Sequence, residues 1–436
     1  MDRLATLARR TLAADLVRRT GRVREVTGLA IEAAGPDVEV GEVCVVTSRA
    51  GVPVPAEVVA LRGGVVTLMP YAAAAGLAVG CEVVASGQPA RIGVGTGLLG
   101  RVIDGFGRPL DGLPLPVVAA LRPLKSPPIN PMRRPRIARV LETGIRSVDT
   151  LLTLGQGQRV GIFSGSGVGK STLLGQIARH VKADVNVIAL IGERGREVRE
   201  FIDKQLGPEG LRRSVVVVAT SDQPAVTRLR AAHAALSIAE HFRDQGSQVL
   251  LTMDSVTRYA MARREIGLSA GEPPTARGYT PSVFAELPEL CERCGTAAGG
   301  GSISALLTVL VEGDDFNEPI ADGLRAILDG HVVLSRRLAQ QAHYPAIDVL
   351  HSVSRVMTDV AEPAHAALAA TVMRTLALLE RCRQMVDIGA YAPGTNLELD
   401  RALALQPALN EFLRQAGGSV PRRDALAALA RVMAGA

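Results

Sequence analysis

The sequence predicts an α/β protein in three parts: a mainly parallel sheet flanked by helices, a small β-rich domain before it and a helical domain after it. Three observations carry this. RVGIF (159–163), VNVIALI (185–191), SVVVVAT (214–220), QVLLTMD (248–254) and SISALLTVLV (302–311) are strand-length apolar runs separated by helical stretches. They lack polar alternation, as parallel strands covered on both faces should. Upstream, between residues 21 and 119, short Val-rich runs are broken by Gly, Asp and Pro. Downstream of Thr358 the chain is Ala/Leu-rich with helical period.

Residues 1–25 hold seven Arg against Asp2, Asp15 and Glu25, with Leu4, Leu7, Leu12 and Leu16 at roughly helical spacing. The segment 1–20 reads as an amphipathic helix, either a solvated helix packed on the body or one that docks on a partner or an anionic membrane surface. In 21–120, VEVGEVCVV, PAEVVAL, GGVVTLM and CEVVAS have the length and spacing of a small β-barrel or sandwich. The stretch LRPLKSPPINPMRRPR, with five Pro and five basic residues, predicts a stiff extended connector over 121–140. The α/β core then spans 141–358. AHAALAATVMRTLALLERCRQM, LDRALALQPALNEFLRQ and DALAALARVMA make 359–436 a helical C-terminal domain.

Composition narrows the function classes. Of 436 residues, 47% are apolar and 21% charged, a globular balance that argues against long disorder. Only 12 are aromatic, so Ala, Val, Leu and Ile must build the core. A net charge of +6 permits contact with an acidic surface without indicating a nucleic-acid binder. The five Cys, an odd number, read as reduced thiols of a cytoplasmic protein. No apolar run reaches the roughly 18 residues a membrane helix needs, and the N-terminus lacks a signal-peptide pattern.

The strongest chemical signal is IFSGSGVGKST (162–172), a strand, a Gly-rich loop and a helix start. Gly165, Gly167 and Gly169 let backbone N–H groups curl around phosphates, and the helix N-terminus adds its positive dipole end. Lys170 can place its ammonium between β- and γ-phosphate, and the Ser171 hydroxyl is a natural Mg²⁺ ligand. The strict pattern asks for Gly where Ser164 stands, at the least demanding position of the loop. Asp254 ends the strand QVLLTMD, where a P-loop enzyme holds Mg²⁺, usually through water. In IGERGREVREF, Glu193 sits just past a buried strand, placed to orient and polarise a water, and Arg194 can compensate phosphate charge. Arg196, Glu197, Arg199 and Glu200 read as an ordinary paired surface helix. Tyr344, before Pro345, could stack on a base, and Arg355 lies in a Ser-flanked turn. Chemistry alone leaves both open to a purely structural reading.

Together, GSGVGKST, GERGREV, LLTMDSVTRYA, GEPPTARGYTPSVF, EGDDFNEPIAD and PAIDVLHSVS resemble the catalytic ATPases of type III protein export. That family is related to the catalytic subunit of the rotary F-type and V-type ATPases. Within it the chain is most similar to the flagellar export ATPase, with the injectisome version close. The resemblance implies an N-terminal β-barrel, a RecA-like P-loop core, a helical C-terminal domain and a homohexameric ring. By the same resemblance, Gly165, Ser166, Gly167, Val168, Gly169, Lys170, Ser171 and Thr172 form the phosphate loop of an ATP site. Glu193 is the carboxylate that activates water, Asp254 the Mg²⁺ carboxylate and Tyr344 the adenine-stacking tyrosine. Arg194 and Arg258 lie near the γ-phosphate, and Arg355 is the arginine finger supplied by a neighbouring subunit. Related non-catalytic subunits carry Gln where Glu193 stands, so this chain is similar to the hydrolysing type. The expected partners are a stator-like regulatory protein at the N-terminal helix, export chaperones and substrates, the membrane export gate and the anionic membrane surface. The expected location is cytoplasmic, peripheral to the inner-membrane export apparatus.

Other candidates read as structure. Cys291-Glu-Arg-Cys294 has metal spacing but neither a second pair nor a nearby His. Asp314, Asp315 and Glu318 read as a loop bordering the core. Two other functions share such a core. An RNA-translocating hexamer needs base-stacking aromatics in the barrel, where only Tyr71 and Phe106 occur, so no nucleic-acid partner is expected. A regulatory, non-hydrolysing subunit is opposed by Glu193.

Overall fold

The computed structural model describes residues 17–311, 315–316 and 318–435. The expected N-terminal helix therefore lies outside the described residues up to position 16, as does Asp314.

Six antiparallel strands close a barrel in the order Thr20–Thr27, Ala30–Ala34, Val65–Pro70, Pro53–Arg62, Glu42–Thr47 and Glu82–Pro89, the last returning to the first. Inward and outward residues alternate, as in Glu42–Thr47, where Cys44 and Val46 point into an apolar core shared with Ile31, Ala56, Val58 and Leu68. Closure leaves no free strand edge.

The central sheet runs in the order Ile347–Ser354, Gly330–Leu334, Arg159–Ser164, Ser302–Leu310, Gln248–Asp254, Val185–Ile191, Ser214–Ala219 and Arg101–Asp104. All neighbours on this path are parallel except Ile347–Ser354, which pairs antiparallel with Gly330–Leu334. Helices cover both faces. On one, the Ala-rich helix Ala225–Asp244 packs against Val187, Val217 and Leu251; on the other lie helix Lys170–His180 and the C-terminal helices. The interior strands are buried over nearly their whole length, which accounts for their lack of polar alternation.

One sequence expectation needs correction. Residues 101–104, assigned to the barrel region 21–120, form the edge strand of the central sheet, with Val102 opposite Val216. The barrel itself ends at Pro89, and Arg91–Val94 pairs with Ala120–Pro123 at the start of the connector. The rest of the connector is extended apart from a short turn at Pro131–Arg133. The core clamps it: Arg293 donates to the Leu124 carbonyl at 2.8 Å and Thr296 to the Pro135 carbonyl at 2.6 Å.

Pro363–Asp387, Leu397–Leu413 and Arg422–Ala434 form the C-terminal helices. Asn396 starts the second by accepting from the Glu398 and Leu399 N–H groups. Among the described residues no helix is long and apolar enough to cross a membrane.

Candidate nucleotide site

The site gathers at the carboxyl ends of the central strands, where an open α/β sheet leaves a crevice. Arg159–Ser164 delivers the chain into the Gly-rich loop, and helix Lys170–His180 leaves it. Gly167 and Gly169 adopt φ of 77° and 90°, a left-handed backbone that any side chain would strain. A Cβ at Gly169 would also stand 3.4 Å from the Tyr344 ring. Ser166, Gly167, Ser171 and Thr172 are exposed while Val168 anchors the loop in the core, so the loop is held from below and open above.

Ser164 fits without widening the loop. Its side chain is buried, its hydroxyl has no hydrogen-bond partner among the described residues, and its carbonyl accepts from the Val311 N–H at 3.0 Å.

Asp254 ends a strand two places from the loop strand, and Glu193 lies two residues beyond the next one, whose Leu190 is in register with Asp254. Lys170 ties them together. Its Nζ sits 2.5 Å from Asp254 Oδ1 and 3.9 Å from Glu193 Oε1. Burial and the neighbouring Asp254 carboxylate push the Glu193 carboxyl up to about 7, against the pull of Lys170. The Glu193 carbonyl accepts from the Ser221 N–H at 3.1 Å, which fixes the turn.

Sequence reasoning missed Thr308. On the strand between the loop and Asp254, its buried hydroxyl donates to Asp254 Oδ1 at 2.8 Å. A lone Thr in an apolar run carries no local signal. Only the strand order brings it to the carboxylate.

Arg258 follows from helix Val256–Ser269, whose N-cap is Ser255. Its stem packs against Gly192, where a Cβ would meet the Arg258 Cβ at 2.9 Å. The guanidinium therefore lies beside the turn that carries Glu193. Among the described residues no carboxylate oxygen lies within 4.0 Å of it, and its buried Nε has no hydrogen-bond partner. A cation without a counterion beside the turn that carries Glu193 is a ready partner for an anion.

Two predicted residues lie outside this cluster. Arg194 sits on the surface, 70% exposed, its guanidinium 3.4 Å from Glu197. Arg355 is exposed at the amino-end edge of the sheet, away from its own phosphate loop, where it donates to the Arg325 carbonyl at 3.1 Å. The neighbouring charges pair along the surface helix, with Arg199 2.5 Å from Asp203 and Lys204 2.8 Å from Glu200. Cys291 and Cys294 are buried free thiols, and burial pushes Cys294 up to about 12. Asp315 pairs with Arg277 at 2.6 Å, and Glu318 caps helix Pro319–Ile327.

Three family models match the chain. The β-barrel domain of the ATP synthase alpha/beta family matches residues 23–87, its nucleotide-binding domain residues 144–354, and the T3SS EscN ATPase C-terminal domain residues 361–431. The flagellum-specific ATP synthase of Bacillus subtilis is 54% identical over 403 residues, covering 92% of each chain. The SPI-2 type 3 secretion system ATPase of Salmonella typhimurium is 50% identical over 402 residues, again 92% of each. Among solved structures, the assembled ATPase EscN of enteropathogenic E. coli in complex with its central stalk EscO superposes with a TM-score of 0.87 at 42% identity. That match covers 95% of this chain and 100% of the other.

Proposed function

The chain belongs to the family of flagellar and type III secretion ATPases, and from that premise we propose that a ring of identical copies couples MgATP hydrolysis to protein export. Of the two branches, the flagellar one is favoured by the 54% identity to a flagellum-specific relative. The observation that carries the catalytic reading is the Lys170 ammonium between Asp254 and Glu193, at 2.5 and 3.9 Å, above an open glycine loop.

In this reading the N–H groups of residues 165–172 and the Lys170 ammonium hold the triphosphate. Arg258 adds charge at the γ-phosphate, and Tyr344, packed over Gly169, stacks on adenine. Arrival of the phosphates offers Lys170 new anions, which frees Asp254 and Glu193 from it. Glu193, already pushed toward neutral pH by burial, then accepts a proton from the attacking water. The donor set fits Mg²⁺: a hydroxyl, Ser171, exposed beside the loop, and a carboxylate, Asp254, both hard oxygen ligands. When bound, Mg²⁺ neutralises charge on the β- and γ-phosphate oxygens. Arg194 reaches the γ-phosphate only after leaving Glu197. Arg355 serves the site of an adjacent copy, which makes the ring a hexamer of composite sites in line with the family.

Around the ring we place the remaining partners. The N-terminal segment meets a stator-like protein and the anionic membrane face, and chaperones and cargo arrive at the export gate. The EscN structure holds a central stalk, EscO, and an analogous stalk is proposed here. The nucleic-acid alternative loses support from both aromatics expected at the barrel: Tyr71 is buried against Glu57, and Phe106, beyond the barrel, lies under the Arg230 guanidinium, which sits 4.4 Å from the Phe106 ring centroid.

Phosphate release measured over a series of protein concentrations, with and without RNA, tests this function. Expected is turnover per chain that rises with concentration as rings form and ignores RNA. Turnover that requires RNA, or none at any concentration, contradicts it.

A further inference from the structure

A cavity of about 370 Å³ lies where the barrel meets the central domain, remote from the phosphate loop. Its volume is at the lower end of the range that holds small organic ligands. Val59 from the barrel, Val226 and Leu229 from helix Ala225–Asp244 and Ile266 from helix Val256–Ser269 give it an apolar floor. Residues 123–125 of the connector close one side.

The charged groups around it divide unevenly. Arg263 is 3.0 Å from Glu286, and Lys125 is 4.0 Å from the same carboxylate. Arg19 is 3.7 Å from Glu42, and Arg230 donates to the Arg91 and Gly105 carbonyls at 2.8 and 3.1 Å. Buried His233 has its pKa well below the usual value, through burial and the nearby Arg293, and is neutral. Each of these cations thus has a carboxylate or carbonyl partner. Glu57 differs. The Tyr71 hydroxyl donates to it at 2.6 Å, and Arg230 reaches it only through that hydroxyl, at 3.4 Å. Among the described residues no Lys or Arg nitrogen lies within 4.0 Å of the Glu57 carboxylate.

We propose that this cavity binds a small organic cation, an amidinium or ammonium head on a flat apolar body, with the head on Glu57 and the body on Val59, Val226, Leu229 and Ile266. The cation supplies the counterion that Glu57 lacks, and a charge-assisted hydrogen bond in a partly dry site is the strong kind. The position gives the ligand leverage. Helix Val256–Ser269 starts two residues after Asp254, carries Arg258 at one end and lines the cavity with Arg263 and Ile266 at the other. An occupant braces that helix against the barrel and modulates turnover without touching the nucleotide. Binding also depends on pH. Burial raises the Glu57 carboxyl above its usual range, with Glu286 reinforcing the shift while Tyr71, Lys125 and Arg230 oppose it, so the cation binds more tightly as pH rises and Glu57 ionises.

Benzamidine is the probe, titrated calorimetrically into the full chain with and without a non-hydrolysable ATP analogue. Expected is saturable one-site binding that survives the analogue, strengthens as pH rises, and weakens about tenfold or more in Glu57→Gln. Val59→Trp, which places bulk in the cavity, should abolish it. Benzoate, the same shape with opposite charge, should not bind. Displacement by the analogue, unchanged affinity in Glu57→Gln, or benzoate binding in place of benzamidine each overturns the proposal. The benzoate and analogue arms use the wild-type chain, so they decide even if a variant fails to fold.

Discussion

Tyr344 and Arg355 flank one edge strand, Ile347–Ser354, and emerge at opposite ends of the sheet. Tyr344 lies over Gly169 of its own phosphate loop, whereas Arg355 follows Ser354, which is in register with Gly330 at the amino end of its neighbour. Eight strand residues separate them by about 25 Å. One chain therefore cannot bring both to one nucleotide without unravelling this strand. This geometry, together with the exposure of Arg355, underlies the composite-site reading.

Replacing Glu193 by Gln removes the proton acceptor and leaves the phosphate cradle intact. ATP binding should persist while hydrolysis falls by about 10²–10⁴-fold. Nucleotide binding by fluorescence and phosphate release on the same preparation check this. Hydrolysis near the wild-type rate would reassign the base.

The same residue ties stability to pH. Burial and the Asp254 carboxylate push the Glu193 carboxyl up to about 7 in the folded chain, against 4.5 ordinarily. A raised folded value means the contribution is complete below about 4.5 and is lost as pH rises through about 7. Allowing for partial screening by solvent, the loss is about 1–2 kcal/mol. Melting of wild type and Glu193→Gln across that window should diverge, wild type losing ground toward neutral pH. Parallel curves would show that the carboxyl is not perturbed.

Thr308→Val keeps the shape of the side chain but takes away the hydrogen bond to Asp254. A stability loss of about 1–2 kcal/mol is expected, with several-fold more Mg²⁺ needed for half-maximal turnover. Thr308→Ser should restore the Mg²⁺ response. An unchanged response in Thr308→Val would mean that Asp254 does not depend on this hydroxyl.

Tyr344→Ala should weaken ATP binding by about tenfold or more, the scale of one stacking contact, and Tyr344→Phe should not. Equal loss in both variants would assign the effect to the hydroxyl and dismiss stacking.

How legible each feature was in the sequence follows from how local its cause is. The phosphate loop needs positive-φ glycines, a lysine and a helix start within about ten residues, all set by adjacent chemistry. Asp254 and Glu193 were readable because each closes an apolar strand, and parallel strands in one sheet end at one edge. Thr308 was not, since its role arises from strand order between segments 54 residues apart. Arg101–Asp104 is short and half-polar, and long-range pairing with Ser214–Ala219 decides its place. Arg194 was expected near the phosphates from its position beside Glu193, but on an exposed turn its side chain finds Glu197 instead. The cation cavity joins the barrel, the connector and three helices, a juxtaposition no single stretch of sequence encodes.

The central idea is that one copy's Arg355 completes the pocket built on another copy's Lys170. The most direct measurement is ATP turnover of Arg355→Ala and Lys170→Ala chains, alone and mixed, with ring formation followed by mass. Each should be nearly inactive alone, because an arginine supplied in trans is worth about 10³–10⁵ in turnover. Mixed rings should regain activity at junctions that pair an intact Lys170 with an intact Arg355. Mixed rings that assemble and stay inactive would contradict the account.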